Sequence, residues 1–170
     1  MTRLWLHSVT PIAPPRSSNP RLGTLLYAAL VTGSWAGILS LAIYGLGRLL
    51  GVPFAVVLRQ GEATVQVPWY FPLLVPVLAA LLAGMATVLV LGRRHARAMV
   101  LWAGALLALA SLVLPAMQPS SVLWSTRIWL LVMHVVAWFL IVPQLARIAG
   151  DSEPSASEVR ELVSQTQQPR

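Results

Sequence analysis

The sequence predicts an all-α membrane protein: a four-transmembrane-helix antiparallel bundle with a small extracytoplasmic β-hairpin between helices 1 and 2. Three observations carry this. Four apolar blocks, at about 24–47, 69–92, 98–117 and 122–142, are each long enough to cross a hydrocarbon core of about 30 Å at about 1.5 Å per helical residue. Only 10% of the 170 residues are charged against 57% hydrophobic, where a soluble domain carries about a quarter charged. No Asp or Glu falls inside any block, and the arginines gather at block ends.

The elements follow in chain order. Residues 1–22 are rich in Pro, Ser and Arg and read as an extended cytoplasmic tail. Leu4-Trp5-Leu6 is too short for a signal-peptide core, so the first long block is expected to stay as a helix. A membrane domain is expected over 23–147, its first span closing at Gly45-Leu46-Gly47-Arg48. Residues 52–68 alternate apolar and smaller or polar residues on both sides of Arg59-Gln60-Gly61-Glu62, which reads as a hairpin folded over the helix ends. Trp69-Tyr70 opens span 2 as an interfacial pair. Pro72 and Pro76 each remove an amide donor, so the outer half of that helix is expected to be bent or irregular. Arg93-Arg94-His95-Ala96-Arg97 is a tight loop into span 3, which is expected to stop near Pro115. Pro143 is expected to mark the inner end of span 4. Residues 148–170 form a polar tail in which Ser155-Ala156-Ser157-Glu158 fits a capping box for a short helix through Val163, marginal in water.

Charge sets the orientation. The termini and the 93–97 loop hold nine arginines and the other side holds Arg48, Arg59 and Arg127, so the positive-inside rule puts both termini in the cytoplasm of a multi-pass plasma-membrane protein. Twelve arginines without a lysine give a formal charge of +7. Scattered at span ends, they fit lipid headgroups as partners and exclude nucleic acid. The absence of cysteine excludes disulfides and thiolate chemistry. No metal site and no cofactor is expected: there is no paired carboxylate, Gly-rich phosphate loop or zinc spacing, and haem would lack a second intramembrane histidine.

Five residues stand out as a candidate ligand or lipid site. His134 lies near the middle of span 4, where ionisable groups are functional hypotheses by default. The plainer reading is an interhelical hydrogen bond to Ser34, Trp35 or Ser111. Trp124, Arg127, Leu131, His134 and Trp138 recur every three or four residues and share one helix face. Arg127 would form an anion or headgroup site with Arg48 and Arg59; the competing reading is snorkelling to lipid phosphate or an ion pair with Glu62, the one carboxylate on that side. Trp138 fits a packed bundle without any ligand. Gly33-Ser34-Trp35-Ala36-Gly37, Ala79/Ala83 and Ala80/Gly84 are small-xxx-small pairs that favour close helix approach, by default within the monomer and otherwise in a homo-oligomer.

Tyr44 to Val52, the β-like segment, the Pro-bearing second helix, Ser111 to Pro115, and Met133-His134 followed by Ile141 to Arg147 together resemble a group of small actinobacterial four-helix membrane proteins catalogued as a domain of unknown function. The resemblance covers about 24–147 and implies the four-helix fold, with Arg48 and His134 as family positions. It implies no activity. The residues themselves favour a non-enzymatic accessory or interaction protein of the bacterial cell envelope, with a membrane-protein partner or a second copy of itself. The alternative is a binder or carrier of a lipid-like or small apolar molecule in a cleft beneath the hairpin, beside Pro-broken span 2 and near Arg127 and His134. The third is a redox protein or enzyme using His134.

Overall fold

The computed structural model describes residues 20–59 and 62–153. Among them are four helices, α1 (Leu22–Leu49), α2 (Phe71–Thr87), α3 (Ala96–Ala116) and α4 (Trp124–Gly150), and two short strands, β1 (Ala55–Val56) and β2 (Val65–Gln66). All four helices, α2 with its continuation to Val90, are long and apolar enough to cross a membrane. The protein is accordingly a multi-pass membrane protein. Of the expected tails at 1–22 and 148–170, residues 1–19 and 154–170, with the capping-box segment, lie outside the described residues, while 148–150 belong to α4.

α1 is the hub. It packs against α2 along one side and α4 along another, while α3 packs along α4. Neighbours run antiparallel: Gly33 meets Ala80 and Gly84 meets Leu25 between α1 and α2, and Gly104 meets Val142 between α3 and α4. The inner half of the core gathers Leu25, Ala28, Ala29 and Ala36 of α1, Ala80 of α2, and Ile141, Leu145 and Ile148 of α4. α3 stands outside this core. Its buried residues are Ala96 and Pro115, one at each end. Within the antiparallel four-helix arrangement, the fully buried core is thus built by α1, α2 and α4, with α3 packed chiefly on α4.

Small residues make the α1–α2 contact close. A Cβ on Gly37 would overlap the Leu73 carbonyl oxygen, and one on Gly33 would lie 2.7 Å from the Ala80 Cβ. The GxxxG therefore faces this chain's own second helix. Lipid provides no hydrophobic drive for helices to associate, so such backbone-close packing supplies the attraction.

Two proline expectations are corrected. α2 is α-helical from Phe71 through Pro76, and both Pro72 and Pro76 are buried. Pro72 sits in the first turn, where its missing N–H has no intrahelical acceptor to lose; the irregular stretch is instead a 3-10 turn at Val88–Val90, at the inner end. α4 runs through Pro143 to Gly150, because Leu145, Ala146, Ile148 and Ala149 bury their side chains there. That packing outweighs the proline penalty of about 3 kcal/mol.

The hairpin forms as expected, with Ala55 opposite Gln66 and Val56 opposite Val65. Its Gln60-Gly61 turn lies outside the described residues. Phe54, just before β1, is fully buried with Val52 and Met133, against Tyr44, Val67 and Trp129. Its ring lies 4.5 Å from that of Tyr44, and Tyr44 Oη donates to the Val67 carbonyl at 3.0 Å. Phe54 has φ +47°, an unusual value for a bulky residue. Gly47 permits the fit, since a Cβ there would lie 2.7 Å from the Phe54 ring. The cap is tied sideways to the α3–α4 loop by the Val57 N–H, which donates to Gln118 Oε1 at 2.8 Å.

At the inner end α4 holds α3. The Arg97 N–H, in the first turn of α3, donates to Glu153 Oε1 at 2.8 Å. The Gly92 N–H donates to Ser152 Oγ at 3.0 Å. A carboxylate on the first turn of a helix satisfies an orphan amide and opposes the positive end of the helix dipole.

The α1–α2 contact yields a paired test. Gly37→Ala should lower stability by about 2 kcal/mol through overpacking. Gly45→Ala, on the same helix with open space around it, should be neutral or stabilising by up to about 1 kcal/mol. Thermal unfolding of both variants in one detergent checks the contrast.

Candidate functional site

α4 carries the side chains of interest because its period of about 3.6 residues stacks Arg127, His134 and Trp138 on one face. In the middle of the helix this face looks towards α3 across a groove of about 320 Å³, lined by Ala105, Ala108, Leu109 and Leu112 of α3 and by His134, Val135 and Trp138 of α4. The walls are almost wholly apolar. Ala105 and Ala108 leave the space: two small residues one helical turn apart stand opposite two large rings.

His134 Nδ1 lies 2.8 Å from the carbonyl oxygen of Leu130, one turn earlier on its own helix. A carbonyl only accepts, so Nδ1 is the donor in this contact. The expected interhelical bond to Ser34, Trp35 or Ser111 is not formed; Ser111 Oγ donates to the Ala108 carbonyl at 2.7 Å. The reason is local. A ring in the membrane satisfies its N–H most readily on the nearest backbone carbonyl of its own helix. Trp138 Nε1 is buried and has no hydrogen-bond partner.

Arg127 lies two turns further out on α4 and is only 8% exposed. Its Nη2 donates to the carbonyls of Pro119 at 2.7 Å and Val122 at 3.2 Å. The guanidinium carbon sits 4.6 Å from the Trp124 ring centroid. Among the described residues no carboxylate pairs with it, and Nε is buried and unpartnered. Arg127 thus binds the α3–α4 loop backbone rather than Glu62.

Arg48 is exposed and its Nη1 donates to the Pro53 carbonyl at 3.0 Å, closing the chain into the hairpin. Glu62 is exposed in the hairpin turn, where its backbone N–H donates to the Arg59 carbonyl at 3.1 Å. The structure therefore brings together Arg127, His134 and Trp138 on one face, and gives Arg48 and Glu62 separate places in the outer loops. The groove lies between α3 and α4, and Pro72 and Pro76 of α2 are buried. The groove's α3 wall, with Ala105 and Ala108, was not singled out from sequence, because a helix apolar all round does not reveal which face has a neighbour. Among the described residues no three His, Asp or Glu side chains gather as a metal site would require.

Two substitutions separate these roles. Arg127→Met removes the guanidinium donor from the Val122 carbonyl and from the Pro119 carbonyl, which keeps the Val122 N–H, and should lower stability by about 2 kcal/mol. His134→Leu removes one bond within a helix and should change stability by less than about 1 kcal/mol. Denaturation in detergent micelles measures both.

No curated protein and no solved structure matches this chain. A family model does, over residues 20–151, from the start of α1 to the end of α4. The chain belongs to that family, a family of unknown function designated DUF6069.

Proposed function

We propose that the protein works by binding rather than by catalysis, as an accessory or interaction protein of the bacterial cell envelope, resident in the plasma membrane with both termini in the cytoplasm. Its ligand is a lipid-like or small apolar molecule held between α3 and α4. The groove carries this reading: about 320 Å³ of apolar space at mid-membrane depth, with His134 and Trp138 on one wall and small alanines on the other. Sites for small molecules are typically concave, mainly apolar and furnished with a few polar groups. α3 packs chiefly on α4 and meets the inner core only at its margin, through Val100, which supports it further. The nine-to-three arginine count supports the orientation.

Native mass spectrometry of the protein, extracted gently from its own membrane, tests the reading. One small molecule of defined mass should remain on the 18.4 kDa chain. It should be lost when Ala108→Trp fills the groove. A bare chain would overturn the ligand; a retained polypeptide would shift the reading to an accessory subunit of a protein complex.

A further inference from the structure

We infer that Arg127 is the headgroup anchor of this groove, and that the occupant is a phospholipid of the surrounding bilayer, with its phosphate on the Arg127 guanidinium and an acyl chain laid inward past His134 and Trp138. The inference rests on the groove being a ligand site and adds the chemistry of the ligand's polar end.

The guanidinium is the starting point. Arg127 is more than nine-tenths buried yet has no carboxylate beside it among the described residues. Two neutral carbonyls use Nη2, Nε is buried and unpaired, and Nη1 makes no bond among the described residues. A buried charge without a counter-charge is costly, and an arriving anion removes that cost. Phosphate suits a guanidinium, whose fork of N–H groups bonds paired oxygens.

The helix end adds to the charge. Arg127 is the fourth residue of α4, whose N-cap, Leu123, offers no side-chain cap. The first-turn amides and the helix dipole both favour an anion here. Trp124 stacks on the guanidinium and holds it in place. Thr126 Oγ1, one residue away, is also buried and unpartnered.

Position on the helix links this charge to the groove. His134 and Trp138 follow Arg127 by seven and eleven residues, which at about 100° per residue returns them to within about 20° of its direction. At about 1.5 Å per residue they lie about 10 and 16 Å deeper. One face of α4 therefore reads, from the outer boundary inward, as a cation and then an apolar trough. That is the order of a phospholipid in its leaflet.

The experiment uses the full-length protein, stripped of lipid in detergent and titrated in native mass spectrometry with phosphatidylglycerol and with diacylglycerol of the same chains. The wild type should hold one phosphatidylglycerol on the order of tenfold more tightly than diacylglycerol, and salt should weaken only the former. Arg127→Gln should bring phosphatidylglycerol down to the diacylglycerol level and leave diacylglycerol unchanged. Ala108→Trp should remove both. Equal binding of the two lipids by the wild type, or an unchanged preference in Arg127→Gln, overturns the headgroup assignment and leaves the groove reading standing. Retention of inorganic phosphate with neither lipid, or of nothing, overturns the groove itself. The wild-type comparison decides the matter even where Arg127→Gln fails to fold.

Discussion

Backbone-close packing of α1 on α2 is the contact on which the rest depends. In a bilayer an apolar side chain gains little by leaving lipid for protein, so helices must find each other through fit. Gly33 and Gly37 provide it by letting α1 reach the backbone of α2 near Leu73, Pro76 and Val77. Ala80 and Gly84 return the favour from the other side. Once that pair is set, Leu25, Ala28 and Ala36 of α1 join Ile141, Leu145 and Ile148 of α4 in the inner core. The prolines of α2 become tolerable for the same reason: they are buried against a neighbour instead of breaking an isolated helix.

The outer end solves a different problem. A loop crossing from α1 to α2 brings polar backbone over apolar helix ends, and each carbonyl and amide needs a partner. Tyr44, Arg48 and Gln118 supply several of these bonds, to Val67, Pro53 and Val57. Phe54 fills the space beneath at a strained φ, held there by the ring of Tyr44 and the bare face of Gly47. Arg127 does the same service for the α3–α4 loop through Pro119 and Val122. It remains a buried positive charge, which gives this end of the molecule its one pronounced electrostatic feature among the described residues.

Much of the fold was legible in the sequence because hydropathy and length decide membrane helices almost unaided. The four spans and the hairpin follow from apolar blocks, an alternating segment and a glycine turn. Helix ends were harder. Pro143 reads as a stop, but Leu145, Ile148 and Ala149 carry α4 two turns further by burial, a tertiary effect that no local signal encodes. The packing of α3 chiefly on α4 was also out of reach, because a helix apolar all round does not reveal which face has a neighbour. For the site, spacing put Arg127, His134 and Trp138 on one face, and α4 is helical through all three. It did not reveal the alanine wall opposite, and it tied Arg48 and Glu62 to Arg127 only because all three carry charge on one side of the membrane.

The clasp at the inner end has a consequence for how the chain is made. The first turn of α3 is capped by Glu153, and the Gly92 amide by Ser152. Both partners lie just beyond α4, and α3's main packing surface is α4 itself. Synthesis runs from the N-terminus, so α1 and α2 can pair as soon as both have entered the membrane. α3's main packing surface and the caps on its first turn are therefore complete only once α4 and the three residues after it have left the ribosome, so the α1–α2 pair has its contacts well before the α3–α4 pair does.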